Sequence, residues 1–157
     1  ESCQTINDHW GYNITDTLYK SPKELIQMLV RAAGKNANLL LNIGPEPGGA
    51  LPDLALNRLK AMGEWLKQYG ETIYGTRGGI IAPHDWGVST QRGNKLYVHI
   101  LDCMDSSLYL PTGNRKVKSA KVFATGKPVR FTKTGDGITV NMDEAPKEID
   151  YVLELTL

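Results

Sequence analysis

Apolar residues follow a helical spacing in the first half of the chain and a two-residue alternation in the second, and the change of period falls near Gly78-Gly79. Ser21-Pro22-Lys23-Glu24 has the form of a capping box with proline at the first helical position. Leu25, Ile26, Met28, Leu29, Ala32 and Ala33 follow on one face and Gly34 ends the run, so a helix of about 13 residues is predicted there. Asn38 to Ile43 is a short apolar run ended by Gly44-Pro45, the pattern of a strand buried on both faces of a parallel sheet. A turn-rich segment, 44–52, leads to a second predicted helix with Asp53 as its N-cap. Leu56, Leu59, Met62, Leu66 and Tyr69 form its core face and Gly70 closes it.

Beyond residue 78 the segments 95–101, 120–124, 129–132, 137–141 and 151–155 are β-branched, aromatic or alternating, with Gly, Pro, Asp and Asn between them. Short strands at this spacing predict an antiparallel β-sandwich. The expected boundary lies between Arg77 and Pro83, giving regions 1–77 and 78–157.

Composition narrows the possible functions. A net charge of +1 with no basic block gives no footprint for nucleic acid, and no apolar run approaches the roughly 18 residues of a membrane-spanning helix. No His, Cys or carboxylate grouping has metal-ligand spacing, no cofactor motif is present, and segment 44–49 lacks the lysine of a phosphate-binding loop. Cys3 and Cys103 read as two buried thiols. Asn13-Ile14-Thr15 is a formal glycosylation triplet of a kind that arises often by chance.

The opening string Glu1-Ser2-Cys3-Gln4-Thr5-Ile6-Asn7-Asp8-His9-Trp10-Gly11-Tyr12 crowds a carboxylate, a thiol, two aromatic residues and a glycine together with no targeting signal before them. It resembles the Trp-Glu-x-Cys … Trp-Gly-Tyr stretch of the α-L-fucosidases of glycoside hydrolase family 29. Asn38-Leu39-Leu40-Leu41-Asn42-Ile43-Gly44-Pro45 resembles that family's Asn-x-Leu-Leu-Asn-Ile-Gly-Pro strand, and Gly63-Glu64-Trp65-Leu66 through Gly70-Glu71-Thr72-Ile73-Tyr74-Gly75 resembles the helix and exit segment that follow. The three blocks occur in the family's order and cover residues 1 to 77. The resemblance implies an α/β plus all-β chain, the closing βα units of a (β/α)₈ barrel followed by a small antiparallel β-sandwich. The rest of the barrel is expected from an upstream portion of the same protein.

It further implies an exo-acting glycosidase that removes terminal α-L-fucose from glycans with retention of configuration. Such enzymes use two carboxyl groups roughly 5–5.5 Å apart, one as nucleophile and one as acid/base. The family's nucleophile is an aspartate from an earlier strand, so only the acid/base has a counterpart here, at Glu1. Asp8, seven residues on, is the one carboxylate near enough in sequence to serve as a partner, and the resemblance argues against it. Trp10 is the candidate floor for the sugar's apolar face and His9 a candidate hydroxyl partner; Asn42, at the end of its strand, is a candidate for either binding or backbone support. The expected partner is a fucosylated glycan or oligosaccharide. The expected location is periplasmic or secreted, or lysosomal in a eukaryote. An alternative is a carbohydrate-binding or purely structural β-sandwich, in which Trp86, Tyr97 and Tyr109 would form a stacking platform if they shared an exposed face.

Overall fold

A computed structural model describes all 157 residues. The chain is mixed α/β: a two-stranded parallel sheet, two helices and two antiparallel sheets. Strand β1 (Ser2–Thr5) leads through a long loop to helix α1 (Pro22–Gly34) and then to β2 (Leu39–Asn42), which pairs with β1 in parallel, Thr5 opposite Asn42. Helix α2 (Asp53–Tyr69) passes into a single 3₁₀ turn, Gly70–Thr72. Eight strands follow: β3 (Arg77–Gly78), β4 (Gly87–Arg92), β5 (Lys95–Ile100), β6 (Ser107–Leu110), β7 (Ser119–Val122), β8 (Arg130–Thr134), β9 (Gly137–Asn141) and β10 (Tyr151–Thr156). They form a five-stranded sheet ordered β3-β4-β5-β10-β7 and a three-stranded sheet ordered β6-β9-β8.

The capping box forms as the sequence predicts. The Glu24 backbone N–H donates to Ser21 Oγ, and the Glu24 carboxylate accepts from the Ser21 backbone N–H at 2.6 Å. Both partners satisfy amide groups that the first helical turn leaves open. The predicted stop differs in detail. Gly34 is the last helical residue, and the left-handed turn is made by Asn36 at φ 58°. Packing is what requires glycine at 34: a Cβ there would lie 2.4 Å from Val88 Cβ, so the helix sits directly on β4.

Two other expectations are corrected. Pro52 rather than Asp53 is the N-cap of α2, and no side chain caps it. The buried positions of α2 are Ala55 and Met62, and Leu59 and Trp65 pack onto the same core, while Leu56 and Leu66 are only half-buried. Within this chain Leu41 of β2 packs into the core with α1, while Leu40 is 47% exposed on the other face. Both cysteines are free; in this chain Cys3 is exposed and Cys103 is half-buried.

The five-stranded sheet has two covered faces. On one, Leu96, Val98 and Ile100 of β5 with Leu153 and Leu155 of β10 meet Leu110, Ile138 and Val140 of the three-stranded sheet in an all-apolar core. Strand alternation turns the intervening residues to the helices. There Val88 and Leu101 join Leu25, Ile26, Val30, Ala55 and Met62 in a second core. This second seam also contains polar groups that find partners across it. Buried His99 places Nδ1 2.8 Å from Asp150 Oδ2 and Nε2 3.2 Å from Thr90 Oγ1, and Thr90 donates to the Thr72 carbonyl of the 3₁₀ turn at 2.6 Å. Glu71 Oε1 accepts from Arg92, Lys95 and the Tyr97 hydroxyl. Burial first, and then the bond to Glu71, push the pKa of the Tyr97 hydroxyl up to about 12. Gln27 of α1 donates to the carbonyls of Leu101 and Ile149, and Trp65, Tyr69, Phe123 and Tyr97 form an aromatic chain from α2 to the sheet.

Gly34→Ala tests this seam. Alanine favours a helix interior over glycine by about 1 kcal/mol, but the contact with Val88 forces the helix off the sheet at a cost of roughly 1–3 kcal/mol. The variant is expected to unfold at lower urea than the parent. A gain in stability would mean that α1 is not seated on β4.

Candidate active site

Loop 6–20 follows β1 and lies at the carboxyl ends of β1 and β2. It is held there by groups from both strands. Asn42, the last residue of β2, donates from Nδ2 to the Trp10 carbonyl at 2.6 Å. Two residues on, a Cβ at Gly44 would come within 2.5 Å of the Gly11 and Tyr12 backbone, so only glycine admits the loop so close. Lys20 Nζ donates to the Thr5 carbonyl at 2.6 Å and reaches the Asn7 carbonyl at 3.3 Å, closing the base of the loop.

Inside the loop the organising group is Asp16, whose side chain is 2% exposed. Its Oδ2 accepts from Asn7 Nδ2 at 2.9 Å, from the Asp8 backbone N–H at 3.2 Å and from His9 Nδ1 at 2.7 Å, while Oδ1 accepts from the Leu18 backbone N–H at 3.0 Å. The bond from His9, followed by those from the backbone amides, holds the Asp16 carboxyl below the usual aspartate range against the opposing effect of burial. Asn13 Oδ1 accepts from the backbone N–H and the hydroxyl of Thr15, so the Asn-Ile-Thr triplet forms a local Asx turn. With the loop fixed in this way, His9, Trp10, Tyr12, Asn13 and Ile14 line an open groove, and Trp10 is 58% exposed.

Three of the four predicted site residues therefore meet: His9 and Trp10 on the loop and Asn42 beneath it. Glu1 does not join them. It precedes β1 at the amino end of the strand, exposed and beside Cys3, with the cysteine sulfur 3.9 Å from its carboxylate. Four residue-to-residue steps carry the chain from it to Thr5, which is roughly 13 Å at about 3.3 Å per step. Asp8 is exposed and contributes only its amide to Asp16. Sequence reasoning missed Asp16 because Asn13 to Thr17 reads as a solvated polar turn; the signal was a carboxylate seven residues after a histidine across a turn-forming triplet. No group of three or more His, Cys, Asp or Glu side chains is arranged to hold a metal, and no helix is long and apolar enough to cross a membrane. Trp86, Tyr97 and Tyr109 share no exposed face, since Tyr97 is fully buried, Trp86 is half-buried and stacked on His84, and Tyr109 is bonded to Asp136.

Polar and aromatic side chains collected at the carboxyl ends of parallel strands mark the ligand-binding end of an α/β enzyme. The comparisons give that class a family. Residues 1–71 match the family model described as alpha-L-fucosidase. Rat plasma alpha-L-fucosidase is 31% identical over 90% of this chain and 34% of its own length. The structure of alpha-L-fucosidase isoenzyme 1 from Paenibacillus thiaminolyticus is 39% identical with a TM-score of 0.88, over 99% of this chain and 39% of that one. A GH29 alpha-L-fucosidase from Bacteroides thetaiotaomicron, described as a trapped covalent intermediate with 2-fluoro-fucosyl fluoride, is 25% identical with a TM-score of 0.88, over 98% and 37% of the two chains. The chain belongs to the alpha-L-fucosidase family of glycoside hydrolases. It spans about a third of the length of the curated relatives it matches.

The depressed pKa of Asp16 fixes the sign of one pH effect. A group whose pKa is lower folded than unfolded stabilises above its unfolded value, about 3.9 for aspartate, and that contribution is lost as pH falls through the lower folded value. Loop 6–20 is expected to stay protected from hydrogen exchange at pH 4 and above and to loosen below it, ahead of α1 and the antiparallel sheets. Equal protection of the loop at pH 7 and pH 2.5 would contradict the role given to Asp16.

Proposed function

We propose that the complete protein is an exo-acting α-L-fucosidase that hydrolyses terminal α-L-fucose from glycans by retaining double displacement. In this reading residues 1–77 are the closing βα units of a (β/α)₈ barrel, completed by upstream sequence of the same protein. Residues 78–157 are a β-sandwich that backs the barrel. The observation that carries the reading is the loop at the carboxyl ends of β1 and β2, where Asn42 supports Trp10 and Asp16 holds His9, in a chain that matches alpha-L-fucosidases along its whole length.

The groove suits the ligand. Fucose has an apolar C–H face and a methyl group that can lie on the exposed Trp10 ring, and hydroxyls within reach of an imidazole. A covalent intermediate in the Bacteroides relative supports double displacement, the route in which one carboxylate attacks the sugar and a second group donates and then recovers a proton. The seam between the helices and the five-stranded sheet supports a structural task for the sandwich, as does the burial of Tyr97. A protein acting on extracellular or lysosomal glycans would be periplasmic, secreted or lysosomal.

The direct test is release of fucose from an aryl α-L-fucoside by the full-length protein, followed by NMR of the first-formed anomer. Release of the α-anomer is expected. Release of the β-anomer would refute double displacement, and no release would refute the fucosidase reading.

Glu1 holds the acid/base role in this proposal by resemblance alone, and its place at the amino end of β1 favours a seat below the reacting sugar instead. Glu1→Gln decides between them. A proton donor at Glu1 means a loss of about 10²–10⁴-fold on substrates with poor leaving groups and little loss on activated aryl fucosides. The same small loss on both would assign proton donation to another carboxyl group.

A further inference from the structure

We infer that Asp16 is a positioning residue of the fucose site, fixing the His9 ring so that Nε2 is presented to the groove as a hydrogen-bond acceptor for a sugar hydroxyl. The identity of the ligand rests on the fucosidase reading above; the geometry of the pair does not. Asp16 lies below the groove with its side chain almost fully buried, and His9 on the rim has its side chain 55% exposed. An ionised carboxylate only accepts hydrogen bonds, and all four contacts of Asp16 come from donors or from a ring nitrogen able to donate. His9 Nδ1 therefore carries the proton. In the neutral ring the lone pair is then on Nε2, which has no partner in the chain.

The two neighbouring bonds make the arrangement rigid. Asn7 is buried at 4% exposure and braces the same carboxylate oxygen, and the Asp8 amide fixes the backbone immediately before His9. The ring is thus held in both tautomer and orientation by a group that does not itself reach the groove. Orientation of a histidine by a buried carboxylate is the same device that sets the working nitrogen in metal-ligating and acid–base histidines. Here it would convert a flexible surface imidazole into a defined acceptor, favouring a sugar with a hydroxyl at that place over its deoxy or epimeric counterpart.

The experiment uses the full-length protein with ¹⁵N-labelled histidine. His9, His84 and His99 are the three histidines, and a His9→Gln variant assigns the first. Long-range ¹H–¹⁵N correlation at pH 7.5 is expected to show His9 as the Nδ1–H tautomer in the parent and a shift toward the Nε2–H form in Asp16→Asn. In parallel, Asp16→Asn is expected to raise KM for an aryl fucoside about tenfold, the scale for losing one hydrogen bond to a well-placed group, with kcat changed less than threefold. In a His9→Gln background the same substitution should leave KM unchanged. A parent His9 already in the Nε2–H form would overturn the inference. So would an Asp16→Asn effect on KM that persists undiminished without His9, since Asp16 would then only staple the loop. A protein that releases no fucose fails the fucosidase reading, while the tautomer measurement still decides whether Asp16 orients His9.

Discussion

The constraint on which the structure depends is that the five-stranded sheet is buried on both faces. A strand alternates its side chains between the two faces, so β4, β5 and β10 must satisfy two environments at once. One face is uniformly apolar and closes against the three-stranded sheet. The other carries Thr90, Tyr97, His99 and Glu154 beside Val88 and Val152, and it is covered by the helices. Polar groups in that position are costly unless paired. Thr90 with the Thr72 carbonyl and Tyr97 with Glu71 tie the 3₁₀ turn after α2 to the sheet, and His99 with Asp150 fixes the entry to β10. A purely apolar seam would permit sliding; these bonds define one register.

The same seam positions the site. Helix α1 rests on β4 through Gly34 and on the Leu101 and Ile149 carbonyls through Gln27, and Ile6, just after β1, and Leu41 of β2 pack into the same core. Anchored strands then give a fixed platform for loop 6–20. Asn42, Gly44 and Lys20 hold the loop from outside and Asp16 holds it from within, so the exposed Trp10 and His9 rest on a backbone with few free torsions. Under the proposed function that arrangement suits a sugar-binding loop, since a ring that must be ordered at each binding event loses affinity to that ordering.

Much of this was legible in the sequence. The Ser21-Pro22-Lys23-Glu24 box gave α1 its start, and alternation gave β5, β9 and β10, because each of these signals is local. Strands β4 and β6 were not legible. β4 reads Gly-Val-Ser-Thr-Gln-Arg, and its buried Ser89 and Thr90 are satisfied by the Ile81 and Thr72 carbonyls, which lie outside the strand and reach it only in the folded chain. Of the candidate site, Trp10 and Asn42 were named through motifs and His9 as the neighbour of Trp10, and the bond from Asn42 to the Trp10 carbonyl links them at one end of the strands. Asp16 was not, because its importance comes from four donors that converge only once the loop has folded. Glu1, named by the same opening motif, precedes β1 at its amino end, and its role stays with the proposal.

The most direct measurement is a crystal structure of the complete protein with fucose bound. The account predicts the sugar over the Trp10 ring at the carboxyl ends of β1 and β2, with a hydroxyl within hydrogen-bond distance of His9 Nε2 and the Asp16 contacts unchanged. Fucose bound without touching loop 6–20 would contradict it.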